Sequence, residues 1–268
     1  MIGIFDSGIG GLTVLKAVQR RLPQYRLLYL GDTARTPYGN RSQDLIYQFT
    51  EQAVDFLFSQ GCELVIIACN TASAEALRRI QQEWLPAHYP DRRVLGVVRP
   101  VAAEAVTLSR YGRIGVVGTR GTIASGAYER ELKAQRADVY VFSQACPLLA
   151  PLIEEGFAHR PETMKILRNY LRPLKAKKID TLILGCTHYP LMLHEFRQAA
   201  GKQVKVPDPA EIVADKLADY LNRHSEIEKK FTRGTVHRYM ITDVTKTFQK
   251  NAERWLGEKI TFEKIELE

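Results

Sequence analysis

A chain of 268 residues, 45% hydrophobic and 25% charged, has room for one large or two small domains and the composition of a globular protein. Its longest apolar stretches, such as Leu64 to Cys69 and Thr181 to Cys186, are strand-length, well short of the roughly 18 residues of a membrane helix; with no signal peptide visible, a cytoplasmic protein with no membrane partner is expected. The net charge of +8 is dispersed, with acids interleaved as in Glu226-Ile227-Glu228-Lys229-Lys230 and no basic run carrying aromatics, so it reads as a solvated surface that attracts anionic substrates rather than a nucleic-acid site.

In chain order, Ile2–Phe5 reads as a first strand. Leu12, Leu15, Val18 and Leu22 follow at helical spacing. Leu27–Leu30 is a second strand, and Gly31 to Asn40 is a long polar loop. Ser42 can cap a helix that runs to about Gln60. Leu64–Ala68 is a strand, with helix from Thr71 onward. Val94–Val97, Ile114–Val117, Val139–Phe142 and Thr181–Leu184 are further strands with helices between them. Val236–Ile241, a helix capped by Asp243, and Ile260–Ile265 close the chain. This alternation predicts parallel sheet covered on both faces.

Two strand-end motifs recur in the same order. Ile2-Gly3-Ile4-Phe5-Asp6-Ser7-Gly8 is echoed by Ile114-Gly115-Val116-Val117-Gly118-Thr119-Arg120, an offset of 112 residues (2 to 114). Leu64-Val65-Ile66-Ile67-Ala68-Cys69-Asn70-Thr71 is echoed by Thr181-Leu182-Ile183-Leu184-Gly185-Cys186-Thr187-His188, an offset of 117 (69 to 186). The economical reading is an α/β protein of two similar parallel-sheet domains related by pseudo-twofold symmetry. Residues 1–98 plus 208–268 would form the first and supply Cys69; residues 99–207 would form the second and supply Cys186.

Cys62, Cys69, Cys146 and Cys186 form no Cys-x-x-Cys pair, which argues against a structural zinc site and leaves reduced thiols. Each one alone reads as core filler. Equivalent strand-end positions change that for Cys69 and Cys186. Ligands of open parallel sheets bind at the carboxyl ends of the strands, so two facing domains would each offer one thiol to a shared cleft. A helix N-terminus behind each sulfur would favour thiolate, and Asn70, Thr71, Thr119 and Thr187 would add hydroxyl and amide groups suited to an anionic ligand. Stereoinversion at a carbon acid needs an acid and a base on opposite faces that exchange roles with direction. A pair of like thiols meets that need. Asp6 can take a ligand ammonium or assist Cys69. His188 can tune Cys186, or simply pack. Asp6-Ser7-Gly8-Ile9-Gly10-Gly11 lacks the Gly-Lys-Ser/Thr ending of a phosphate loop; its glycines let the chain turn and approach a ligand.

Phe5-Asp6-Ser7-Gly8-Ile9-Gly10-Gly11, Gly31-Asp32-Thr33-Ala34, Pro37-Tyr38-Gly39, Ala68-Cys69-Asn70-Thr71-Ala72-Ser73 and Leu184-Gly185-Cys186-Thr187-His188-Tyr189-Pro190 together resemble the glutamate racemase branch of the aspartate/glutamate racemase family, from the first strand to about Gly257. The resemblance implies a two-domain fold with the active site between the domains. It implies interconversion of L- and D-glutamate without cofactor or metal, supplying D-glutamate for peptidoglycan. By position, Cys69 would deprotonate D-glutamate and Cys186 L-glutamate, with Asp6, Glu154 and His188 assisting. Asp6, Ser7, Tyr38, Gly39, Asn70, Thr71, Thr187 and His188 would contact substrate. A homodimer is the default expectation, and some relatives interact with DNA gyrase. The alternatives are a racemase of aspartate or a related amino acid, and a binding protein with a gyrase-type partner. The segment Trp84–Arg93 looks long for the family and carries no motif.

Overall fold

The computed structural model of the chain describes residues 1–267. Among these residues, six strands form one sheet: β1 (Ile2–Asp6), β2 (Leu27–Gly31), β3 (Leu64–Ile67), β4 (Arg93–Gly96) and, from the end of the chain, β8 (Arg238–Ile241) and β9 (Phe262–Lys264). Their order is β4-β3-β1-β2-β8-β9. A second sheet holds β5 (Arg113–Gly118), β6 (Tyr140–Ala145) and β7 (Thr181–Gly185), in the order β6-β5-β7. All pairings between these strands are parallel. The result is α/β architecture in two parallel-sheet domains.

β1, β2, β3 and β7 are buried at every residue. A strand covered on both faces has no water-facing side, which is why these runs are almost unbroken Ile, Leu and Val. One cover is the helix Leu12–Arg21, which buries Leu12, Leu15 and Val18 and packs on the helix Pro209–Arg223. The helix Gln43–Ser59 covers the other face through Ile46, Val54, Leu57 and Phe58. The first apolar core does not stop at the boundary between the sheets. Leu15, Val18 and Leu217 belong to the same buried cluster as Ile114, Val116 and Leu132 of the second sheet and its helices. Truncating a buried Leu in such a core costs about 2–5 kcal/mol, so the two sheets are joined by packing as well as by chain.

The topology locates the site. β1 lies between β3 and β2, and β5 lies between β6 and β7, so strand order reverses at β1 and at β5. A crevice opens at the carboxyl ends of strands at such a point. The two echoed motifs take corresponding places: β1 and β5 are flanked on both sides, and β3 and β7 are their immediate neighbours.

Some local expectations are corrected. The last helix (Lys246–Leu256) is capped by Thr245, whose hydroxyl accepts from Phe248 N–H at 3.1 Å, not by Asp243. Asp243 is occupied elsewhere: its N–H and carbonyl both bond Thr33 Oγ1, at 2.8 and 2.6 Å. The helix after Cys69 is not continuous. It runs Asn70–Glu75 and Leu77–Arg79, then widens to a π turn over Ile80–Trp84 before Leu85–His88. Pro86 has no N–H to return to the preceding turn, and the ladder there must re-register. The strands expected at Val236–Ile241 and Ile260–Ile265 are shorter, Arg238–Ile241 and Phe262–Lys264, while the one expected at Val139–Phe142 starts a residue later and runs on, Tyr140–Ala145.

Candidate active site

Cys69 stands two residues beyond β3, at the N-cap of Asn70–Glu75. Its sulfur accepts from Ala72 N–H at 3.5 Å and donates to Ser7 Oγ at 3.3 Å. The expected thiolate stabilisation is outweighed. Burial, and then the Asp6 carboxylate, push the Cys69 thiol up to about 12. Ser7 and Ala72 pull in the other direction without reversing it.

Cys186 directly follows β7, but it does not open an α-helix as Cys69 does. Its carbonyl accepts the N–H of Tyr189 at 3.1 Å, a tight 3-10 turn covers Tyr189–Met192, and α-helix begins only at Leu193. A three-residue return closes that first turn, so the expected equivalence of the two sulfurs holds for the strands and fails for the helices. Cys186 has a different neighbour in compensation. His188 Nδ1 lies 3.7 Å from its sulfur, and His188 Nε2 lies 2.8 Å from Glu154 Oε1. Burial presses His188 toward the neutral form. The hydrogen bonds to Cys186 and Glu154, with their charges, outweigh it and hold its pKa well above the ordinary histidine value.

Asp6 ends β1 and is fully buried. Its Oδ2 accepts from Gly8 N–H at 3.1 Å and its Oδ1 from the Thr187 hydroxyl at 3.2 Å. Burial raises its pKa, against His188 and the N–H groups of Gly11 and Gly8. Thr187 is thus a tie between the sheets, and it is not alone. Thr13 Oγ1 reaches the Thr187 carbonyl at 2.9 Å. Thr71 Oγ1 meets Thr119 Oγ1 at 2.9 Å and Thr122 Oγ1 at 3.2 Å. Asn70 Oδ1 accepts from Tyr128 OH at 2.7 Å.

Two glycines allow this closeness. A Cβ on Gly10 would stand 2.5 Å from Thr187 Oγ1 and 2.6 Å from His188 Nδ1; one on Gly39 would stand 2.8 Å from Thr119 Cβ. The glycine-rich turn after Asp6, expected to make room for a ligand, makes room for the facing domain's own side chains. Gly39 reaches the cleft, whereas the Tyr38 hydroxyl is spent on Asp32 Oδ2. Asp32 also takes Arg35 Nε at 2.6 Å and Thr242 Oγ1 at 3.0 Å, which anchors the loop to β8.

The structure therefore gathers Asp6, Ser7, Cys69, Asn70, Thr71, Gly39, Thr119, Cys186, Thr187, His188 and Glu154 about one cleft, with the Tyr38 hydroxyl held by Asp32. Glu155 is exposed. Thr13, Thr122, Tyr128 and Trp255, whose ring meets His188 edge-on at 5.9 Å between centroids, also belong to the surroundings. Thr122 was findable, three residues after the cap Thr119; the others join only through tertiary packing. Among the described residues no three His, Cys, Asp or Glu side chains gather into a metal-holding group. The cleft is shut: Cys69 is 5% exposed and Cys186 6%. Behind it lies a small, mostly apolar cavity of about 10 Å³, bordered by Val14, Val97, Val101 and Val213 as well as by Asn70, Cys186 and Thr187.

Residues 12–217 match the family model described as Asp/Glu/Hydantoin racemase. The glutamate racemase of Geobacter metallireducens is 42% identical over 260 residues, covering 97% of this chain and 93% of that protein. The glutamate racemase isoform RacE1 of Bacillus anthracis superposes with a TM-score of 0.92 at 36% identity, over 100% of this chain and 97% of that one. The glutamate racemase of Francisella tularensis, solved in complex with D-glutamate, gives 0.88 at 33% identity, over 99% and 97%. No helix among the described residues is long and apolar enough to cross a membrane. A likeness that runs the length of both chains, over a fold of two parallel sheets with a thiol at the end of one strand in each, establishes that the chain belongs to the glutamate racemases, amino-acid isomerases of the Asp/Glu racemase family.

Proposed function

We propose that this chain interconverts L- and D-glutamate by two-base proton transfer between Cys69 and Cys186. The observation that carries the proposal is the placement of one thiol at a strand end of each sheet, about a cleft that the Thr187–Asp6 and Thr71–Thr119 contacts close. D-glutamate bound to the Francisella tularensis relative supports the choice of substrate. In the D-to-L direction the Cys69 thiolate takes the α-proton and the bond to carbon breaks. The Cys186 thiol then delivers its proton to the opposite face, leaving Cys69 as thiol and Cys186 as thiolate. The return direction exchanges the roles.

Asp6 and Ser7 face Cys69, and the His188–Glu154 pair serves Cys186. Asn70, Thr71, Thr119, Thr187 and the Gly39 backbone would receive the substrate's polar groups. Residues 1–98 plus 208–268 would move as the domain carrying Cys69, and 99–207 as the domain carrying Cys186. We place the enzyme in the cytoplasm as a homodimer that supplies D-glutamate for peptidoglycan.

The test is racemisation of each glutamate enantiomer in D₂O without added cofactor. The product of the wild type gains deuterium at the α-carbon, and optical activity decays to zero. Cys69→Ala and Cys186→Ala each lose about 10²–10⁴-fold in turnover, the usual worth of a positioned acid or base. Near-wild-type racemisation by both variants would sink the two-thiol scheme. Turnover of aspartate but not glutamate would sink the substrate.

A further inference from the structure

Tyr128 spans the two thiol-bearing strand ends. It is buried near the start of the helix Ala127–Gln135. Its ring lies against Gly185, the residue before Cys186: a Cβ on Gly185 would stand 3.0 Å from Tyr128 Cε2. Its hydroxyl donates to Oδ1 of Asn70, the residue after Cys69, at 2.7 Å. A primary amide has one accepting end and one donating end. With Oδ1 held by Tyr128, the two N–H groups of Asn70 must point away from that hydroxyl. Asn70 stands between Cys69, the N-cap residue, and Thr71, whose hydroxyl meets Thr119 across the cleft at 2.9 Å. Burial, and then the charge of Cys186, drive the phenol's pKa far upward, so Tyr128 stays a donor at working pH.

We propose that Tyr128 is a positioning residue for the racemase: it fixes the Asn70 amide so that its N–H groups face the cleft and receive a carboxylate of the substrate. The proposal rests on the racemase reading above. It explains why a tyrosine hydroxyl is buried here rather than a phenylalanine. An amide released from this bond could rotate and present its oxygen, which repels a carboxylate.

The experiment is a double-mutant cycle with steady-state kinetics in both directions. Tyr128→Phe removes only the hydroxyl. KM for both glutamate enantiomers is expected to rise about tenfold with kcat within about threefold, the pattern of lost uniform binding. Asn70→Ala should raise KM as well, and Tyr128→Phe should then add nothing. Additive effects in the double variant, or a wild-type KM in Tyr128→Phe, would overturn the assignment. Inactive wild-type protein would instead overturn the racemase reading. Should Tyr128→Phe fail to fold, 3-fluorotyrosine at position 128 keeps ring and hydroxyl. Its fluorine resonance is expected to move on glutamate binding and to lose that response in Asn70→Ala; a response that Asn70→Ala leaves intact overturns the proposal.

Discussion

Burial and the Asp6 charge push the Cys69 thiol up to about 12, while Ser7 and Ala72 offer only partial relief. The resting form is therefore the thiol, and the thiolate is a minor species that grows with pH. Alkylation of Cys69 by iodoacetamide should accelerate about tenfold per pH unit between roughly pH 7 and 10, because only the thiolate reacts. A rate that levels off below pH 9 would show the thiol to be far more acidic. Asp6 makes the complementary point about charge. Its pKa is raised by burial from the ordinary 3.8, so the folded state binds that proton more tightly than the unfolded chain does. The associated stability is full below the unfolded value and is lost as pH rises through the folded one. At neutral pH the burial of this carboxyl is thus a cost to folding. Asp6→Asn should melt above the wild type while losing turnover, the outcome expected if the proposed site keeps Asp6 for chemistry against stability. Thermal melts at pH 7 decide this, and a lower midpoint would contradict the sign.

At the scale of elements, the loops carry the precision. Ser42 was legible as a cap and does accept from Leu45 N–H, at 3.4 Å. Thr245 was not, because Asp243 is as good a capping residue by type, and only the claim of Thr33 on the Asp243 backbone decides between them. Thr245→Ala should cost about 1 kcal/mol in a denaturant titration; no change would mean that the cap is idle. The turn Gly8–Gly11 has a sharper consequence. Gly10→Ala would place a methyl 2.5 Å from Thr187 Oγ1 and 2.6 Å from His188 Nδ1. The facing strand ends must then separate, and displacement of about 1 Å in a site costs on the order of 10²-fold in rate. We expect that loss in kcat/KM with a circular dichroism spectrum unchanged. Wild-type kinetics would show that the turn has slack.

For the whole molecule, the closed cleft is the dominant fact. Neither Cys69 nor Cys186 is more than 6% exposed, so under the proposed reaction the substrate would enter only if the domains part. The polar ties across the cleft mouth are Thr13 and Asp6 on Thr187, Thr71 on Thr119 and Thr122, Tyr128 on Asn70, and Asn251 on the Glu154 carbonyl at 2.7 Å, while the apolar core shared by the two sheets can serve as the hinge. Opening by loss of such contacts is cheaper than unfolding a core strand. Amides of 69–73 and 186–189 should therefore exchange hydrogen faster than those of β1 and β5, and glutamate should slow them. Equal protection of all four segments would argue for a rigid cleft.

The sequence by itself determined the α/β class, the two sheets and the strand ends that hold Cys69 and Cys186, because buried parallel strands demand unbroken apolar runs and each motif sits where such a run stops. It also carried the family, since five motifs in order leave little freedom. Only the tertiary structure decided how unlike the two thiols are. Cys69 caps a helix beside Ser7, and Cys186 precedes a 3-10 turn beside a His188–Glu154 pair. It alone tied the Tyr38 hydroxyl to Asp32, gave Gly10 to the facing domain and brought Tyr128 to Asn70. Strand periodicity is local and survives in the chain as pattern. Hydrogen bonds between residues 58 or 181 positions apart exist only once two cores have packed, and no local pattern encodes them.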